Sequence, residues 1–230
     1  PGSEWNYGVS TDVLGRLVEV ISGQPLDEFF EQRIFAPLGM RDTSFGLRPD
    51  DDLESLARLY MAVPGQPGGA ATGLAPLDAM GVAAHSKPAF LSGGGGLVST
   101  AADYLRFVEL LRRGGSFDGG RLLGSRTIAH MTRNHLPDNQ DLETFGRPLF
   151  AETPLRGVGF GLGFSMVIDP VRYGVVASRG DYSWGGAAST AFYVDPVEDV
   201  AVSFYTQLLP SSTLPIRNYL RALVNQALAD

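Results

Sequence analysis

The chain has 230 residues, 44% of them hydrophobic, enough for one substantial core or two small lobes and too apolar for a disordered chain. Its 18 basic and 25 acidic residues leave a net charge of −7, and no Lys/Arg run could track a phosphate backbone, so nucleic acid is not an expected partner. Cysteine is absent, which removes both a disulfide framework and a thiolate metal site.

No stretch approaches about 18 consecutive apolar residues, and residues 1 to 10 show neither a basic nor an apolar leader region. Neither a membrane span nor a signal peptide is expected; the reading is cytoplasmic, with periplasm or secretion left open. The chain opens on Pro1-Gly2-Ser3-Glu4-Trp5 without an initiator Met, which has the look of an internal start.

In chain order, Val13, Leu14, Leu17, Val18 and Ile21 fall at helical spacing, and Ser22-Gly23 supplies an end cap. A second helix follows Pro25, with Leu26, Phe29, Phe30 and Ile34 on one side and Pro37-Leu38-Gly39-Met40 as its breaker. From Arg48 to Leu91 the pattern weakens and predicts no element, while Pro64 to Gly69 marks a loop. Gly93 to Gly96 precede Thr100, which with Asp103 forms an N-cap signature for a helix presenting Tyr104, Phe107, Val108 and Leu111 and ending at Gly114-Gly115.

After a loop-like stretch from about Asn134 to Arg156 the period changes. Val158 to Ile168, Val175 to Trp184, Ser189 to Val194 and Val200 to Leu208 are rich in β-branched, aromatic and Gly residues and are punctuated by Asp169-Pro170 and Asp195-Pro196. Four successive strands predict an antiparallel meander. Ser211-Ser212-Thr213 then offers caps for a helix with Ile216, Leu220, Leu223, Val224, Ala227 and Leu228 in register. Helices, then strands, then a helix make an α+β arrangement: an antiparallel sheet flanked by helices plus a helical subdomain. Residues 1–157 form the mainly helical part, 158–230 the strands and final helix.

Several chemistries are excluded by their missing residues. There is no Gly-x-Ser-x-Gly elbow, and no phosphate loop, because Lys87 is the only lysine. Gly93 to Gly96 lack dinucleotide spacing and read as tightly turned backbone. His85, His130 and His135 make no zinc pattern, and Asp50-Asp51-Asp52 reads as a solvated loop or helix start. No metal and no organic cofactor is expected.

What remains is a set of phrases in register. Pro1 to Tyr7, Leu14-Gly15, Ser22-Gly23-Gln24-Pro25, Pro37 to Phe45 and Gly93 to Asp103 resemble, in this order and through nearly the whole chain, the serine β-lactamase and penicillin-binding superfamily (class C β-lactamase-like). Trp184-Gly185-Gly186 is similar to the triplet that family VIII carboxylesterases carry where β-lactamases have Lys-Thr-Gly or His-Thr-Gly; some acyltransferases of the fold resemble this too.

That resemblance implies an acylable Ser and a basic Lys in a Ser-x-x-Lys at the start of a helix. Three residues before Lys87 stands Ala84, so this sequence cannot supply the pair. Relatives carry it upstream of the tyrosine motif; the implication is a fold incomplete at the N-terminus, the missing segment being a partner. By the same resemblance, Tyr7 relays the proton between the serine and the leaving group. An isolated phenol, with pKa near 10, needs a neighbouring cation for this. The plainer reading has Tyr7 packing ahead of the first helix. Many relatives have Asn two residues after this tyrosine, where Val9 stands here, which weakens a β-lactam substrate.

Trp184 replaces a cation with an amphipathic wall suited to an uncharged small ester. Gly185 and Gly186 would let substrate approach the backbone, and the Ala187 N–H would form half of an oxyanion hole. Plainer readings are a strand aromatic and a bulge. The expectation is a carboxylesterase-type serine hydrolase whose isolated chain is inactive. Alternatives are a non-catalytic ligand-binding relative, or a β-lactamase, D-Ala-D-Ala peptidase or acyltransferase of the same fold.

Overall fold

The computed structural model describes residues 2–63, 65, 72–78, 82–147 and 156–228. Apart from Gly65, the Pro64 to Gly69 loop lies outside them. The chain divides into two compact units: Gly8–Phe107 with Gln207–Pro210, and Pro1–Tyr7 with Val108–Thr206 and Ser211–Asp230.

In the first unit a helix spans Ser10–Ser22, as the spacing predicts, but its apolar stripe does not face the core. Val13, Leu14, Leu17, Val20 and Ile21 are all exposed, between 48% and 77%, and the buried residue is Gly15. The inward face is small and polar. The Asp12 carboxylate accepts from Ser92 Oγ, and Glu19 Oε1 accepts from Leu26 N at 3.1 Å. Gly15 meets Gly93 backbone to backbone: a Cβ on Gly15 would lie 3.1 Å from the Gly93 Cα, and one on Gly93 would collide with the Thr11 carbonyl. Glycines at both positions are what allow the helix to seat so closely.

The second helical stretch runs Leu26–Phe30, widens into a π turn over Glu31–Phe35 and closes with Ala36–Leu38. Pro37 therefore sits inside the last turn, and Gly39 ends it. Leu26, Phe35, Leu38 and Met40 are buried together with Phe45 of strand β1 (Ser44–Phe45). Where periodicity predicts no element, β2 (Tyr60–Val63) pairs antiparallel with β3 (Gly73–Pro76) and parallel with Leu208–Leu209. Asp52 is at a helix start, accepting from Glu54 N ahead of a short 3₁₀ turn. After β4 (Leu97–Val98), Thr100 Oγ1 accepts from Asp103 N at 3.2 Å and opens the helix Ala101–Arg112. The Asp103 carboxylate, 4% exposed, accepts instead from Asp42 N and Thr43 Oγ1 at 2.7 and 3.0 Å.

The second unit holds a small hairpin, β5 (Ser116–Phe117) with β6 (Gly120–Arg121), and an antiparallel meander. The meander has five strands, not four: β7 (Val158–Phe160), β8 (Ser165–Val167), β9 (Tyr182–Gly185), β10 (Ala191–Asp195) and β11 (Val200–Phe204) lie side by side in chain order. The run Val158 to Ile168 folds on itself because Gly161 N bonds the Phe164 carbonyl at 2.8 Å and reverses the chain. The predicted strand at Val175 begins only at Tyr182; ahead of it a short helix Pro170–Tyr173 is capped by Asp169, whose Oδ1 accepts from Val171 N and Arg172 N. The predicted run Val200 to Leu208 belongs to this sheet only as far as Phe204; Leu208–Leu209 is the separate short strand that pairs with β2.

The final helix, Ile216–Ala227, has Pro215 at its N-cap and no side-chain cap, so Ser211 to Thr213 do not serve as expected. What anchors it is Arg221, which is 4% exposed and paired with Asp181. Among the described residues no helix is long and apolar enough to cross a membrane.

The Gly15–Gly93 contact yields a stability test. Gly93→Ala is expected to lower unfolding free energy in denaturant titration by about 1–3 kcal/mol, the usual range for overpacking. Gly95→Ala, whose Cβ would meet nothing within 4 Å, should stay within roughly 0.5 kcal/mol of the parent.

Candidate active site

Two segments from opposite ends of the sequence meet in the second unit. The amino-terminal strand-like segment is tied down by backbone: Trp5 N donates to Phe145 O at 2.8 Å, Arg147 N to Trp5 O at 3.3 Å, and Glu4 pairs with Arg147 at 2.6 Å. That fixation delivers Tyr7 to β9. The Tyr7 and Trp184 rings lie 6.0 Å apart at 30°, Trp5 stands 6.3 Å from Tyr7 and 5.0 Å from Phe160, and Phe160 meets Trp184 edge-on at 5.4 Å. Four rings thus form one wall, in the offset and tilted geometries aromatic quadrupoles favour. Tyr7 remains 46% exposed.

Trp184 sits opposite Phe192 of β10, and Gly185 opposite Ala191. Since successive side chains alternate faces, Tyr182 and Trp184 share one face, and Ser183 and Gly185 the other, beneath the final helix. The helix face has no room for a side chain at 185: a Cβ would come within 2.5 Å of Arg217 Nη2 and 2.6 Å of the Thr190 carbonyl. At Gly186 it would meet Thr190 Oγ1 at 2.6 Å.

Between β9 and β10 the chain reverses through Gly186-Ala187-Ala188-Ser189, closed by Ser189 N donating to Gly186 O at 3.1 Å. Gly186 N donates to Thr190 O at 3.1 Å, just outside the turn. Such a turn consumes the first carbonyl and the fourth N–H and leaves the central amides outside it. Among the described residues the exposed Ala187 N–H has no backbone acceptor. Arg217 completes the arrangement: its Nη2 donates to Gly186 O at 2.9 Å and to Thr190 O at 3.0 Å.

One helical turn further on, Arg221 is ion-paired with Asp181, which precedes β9, and its guanidinium stacks 4.1 Å over Tyr193 and 5.7 Å from Tyr173. Burial pushes the Asp181 carboxyl up to about 6, with the Arg221 charge pulling it back. Burial also raises the phenol of Tyr193 to about 12, and that of Tyr173 above its ordinary value. These tyrosines are therefore neutral walls, not bases.

The remaining sequence candidates assemble less. His130 and His135 stack edge-to-face at 4.7 Å, but no group of three or more metal-ligating side chains occurs among the described residues. In the first unit a hollow of about 880 Å³ is lined by Phe35, Phe45, His85 and Lys87, whose ammonium pairs with Asp27 at 2.5 Å. Gly94 of the glycine run faces Asp12 in that unit. Sequence reasoning missed Trp5, Phe160, Asp181, Arg217 and Arg221. A signal did exist for the arginines: they stand four apart on the final helix beside Leu220 and Val224, where an apolar face was read.

A family model described as Beta-lactamase matches residues 1–226. An uncharacterised protein of Mycobacterium tuberculosis is 33% identical over 214 residues, covering 91% of this chain and 50% of its own length. The lovastatin esterase of Penicillium rubens is 34% identical over 204 residues, covering 85% of this chain and 48% of its own. Among solved structures, EstCE1, described as a hydrolase with promiscuous acyltransferase activity, superposes with TM-score 0.76 at 27% identity, over 96% of this chain and 56% of that one. Other relatives are a methylbutanoyltransferase and D-alanyl-D-alanine carboxypeptidase-like proteins. The chain spans about half the length of the curated relatives it matches.

Asp181 sets a pH dependence. Its folded value near 6 lies above the ordinary 3.8, so between these the folded chain binds more protons than the unfolded one. Its contribution is complete below the lower value and is lost as pH rises through the upper one. Arg221→Met leaves the buried carboxylate uncompensated; the expected loss is about 3–5 kcal/mol at pH 8. It should be smaller at pH 5, where Asp181 can take up a proton, and denaturant titrations at both pH values check it.

Proposed function

Because the chain belongs to the Beta-lactamase family and esterases are among its relatives, we propose that the protein it forms part of hydrolyses small carboxylic esters through an acyl-serine. The attacking serine and its basic lysine belong, in this reading, to a segment outside the present sequence. Two observations support that division of labour: the relatives are about twice as long, and Val13, Leu14, Leu17, Val20 and Ile21 line up on a helix face open to solvent.

The observation that carries the reading is the meeting of Tyr7 with Trp184 beside the Gly186–Ser189 turn. Tyr7, held as a phenolate by the charge of that basic lysine, takes the serine proton as the oxygen attacks the ester carbonyl carbon. The carbonyl π electrons move onto oxygen, and the Ala187 N–H stabilises the resulting oxyanion together with a second donor from the nucleophile's own segment. Collapse breaks the bond to the alcohol, which leaves with the proton Tyr7 held. Water then repeats the sequence on the acyl-serine, its proton passing through Tyr7 back to the serine. An alcohol in place of water would make the same site an acyltransferase, which the exposure of Tyr7 permits.

Trp184 supports an uncharged substrate. A desolvated indole offers dispersion and ring contact to an acyl or alcohol group but no counter-ion to a carboxylate. Substrates defined by a free carboxylate, the β-lactams and D-Ala-D-Ala peptides, fit this wall less well.

In the full-length protein, Tyr7→Phe is expected to lower kcat on a short-chain nitrophenyl ester by about a hundredfold or more, with little change in KM. Turnover within a few fold of the parent would reduce Tyr7 to a packing residue and favour a non-catalytic ligand binder. The present chain alone should not turn the ester over.

A further inference from the structure

We propose that Arg217 is a positioning residue for the acyl transfer, orienting and polarising the peptide group whose N–H, that of Ala187, donates to the oxyanion. The proposal rests on the reading of Ala187 N–H as an oxyanion donor. The Gly186 carbonyl and the Ala187 N–H are two ends of a single peptide unit, which is planar and, among the described residues, trans. Whatever holds the oxygen therefore aims the hydrogen in the opposite direction.

Two donors hold that oxygen: Ser189 N at 3.1 Å and Arg217 Nη2 at 2.9 Å. The first comes from the turn itself. The second comes from a helix distant in sequence and carries a full positive charge, and a charge-assisted bond to a carbonyl draws electron density toward oxygen and leaves its N–H a stronger donor. The same nitrogen also reaches Thr190 O at 3.0 Å, which in turn accepts from Gly186 N at 3.1 Å. One guanidinium nitrogen thus bridges the two carbonyls that bracket the turn, and the opening between them cannot widen without breaking a bond.

Gly185 acquires a specific reason from this. A methyl group there would occupy the place of Arg217 Nη2, at 2.5 Å, so the arginine can reach the turn only over a bare backbone. A lysine would bring the same charge as a compact, strongly hydrated point on a flexible stem, without the rigid planar group that fixes Nη2 between the two carbonyls.

The test uses the full-length enzyme and a matched pair of substrates, an ester and its thionoester, whose sulfur accepts hydrogen bonds weakly. The parent should strongly prefer the ester. In Arg217→Ala, kcat on the ester should fall on the order of 10- to 100-fold, less than outright loss of an oxyanion donor. KM should stay within about threefold and the preference over the thionoester should shrink. Added guanidinium at millimolar concentration should restore part of the ester rate, and Arg217→Lys should recover less than half of it.

Unchanged kcat and preference in a folded Arg217 variant, or full activity in Arg217→Lys, would overturn the proposal while leaving the oxyanion reading intact. A parent that does not distinguish ester from thionoester overturns that reading instead. Should Arg217→Ala not fold, the lysine variant carries the same comparison. The amide resonance of Ala187 in the full-length protein then gives a second measure; no shift on Arg217→Lys counts against the proposal.

Discussion

The Gly186 carbonyl oxygen is the point on which the candidate site converges. It closes the turn between β9 and β10 through Ser189 and receives the Arg217 guanidinium. Those bonds exist only if the final helix crosses that face at the right height, and only if positions 185 and 186 carry no side chain. Sheet register, helix placement and two glycines are thus conditions on one oxygen atom. The direction of the Ala187 N–H is their joint result.

Helix placement has its own cause. Arg221 puts a charge on the buried face, where leucine would be the ordinary choice, and matches it with Asp181 just ahead of β9. Two desolvated charges gain little net stability over an apolar pair, because dehydration offsets most of their attraction. Their geometry, however, is directional, and the Tyr193 ring beneath the guanidinium at 4.1 Å restricts it further. Removing one turn of slack from the helix at Arg221 also removes it at Arg217, four residues earlier.

The aromatic wall is built differently. Trp5, Tyr7, Phe160 and Trp184 come from three separate stretches of chain, and none is fully buried. Tyr7 is brought there by backbone pairing of Trp5 with the segment at Phe145 to Arg147. In the other unit the helix Ser10–Ser22 inverts the usual amphipathic order, with Asp12, Gly15 and Glu19 inward and an apolar stripe outward. Membership of the Beta-lactamase family accounts for the mixture of helices and antiparallel strands. The chemistry attached to that fold differs among the relatives, from esterase to acyltransferase, so the residues at the wall decide more than the fold does.

Periodicity and turn chemistry determined the α+β class, the helices at Ser10–Ser22, Ala101–Arg112 and Ile216–Ala227, and an antiparallel meander, because these depend on residues near one another in the chain. Phrase order further singled out Tyr7 and Trp184-Gly185-Gly186 as residues to watch. Tertiary structure alone decided which side of the first helix faces inward, since a 3.6-residue period groups side chains without saying what they meet. It also decided that one predicted strand is a hairpin, that β2 and β3 exist without a strong local signal, and that the last helix is pinned by arginines and not capped by serines. Above all it brought Tyr7 to Trp184 and Arg217 to Gly186: contacts between residues far apart in sequence are made by packing, and no local pattern encodes them.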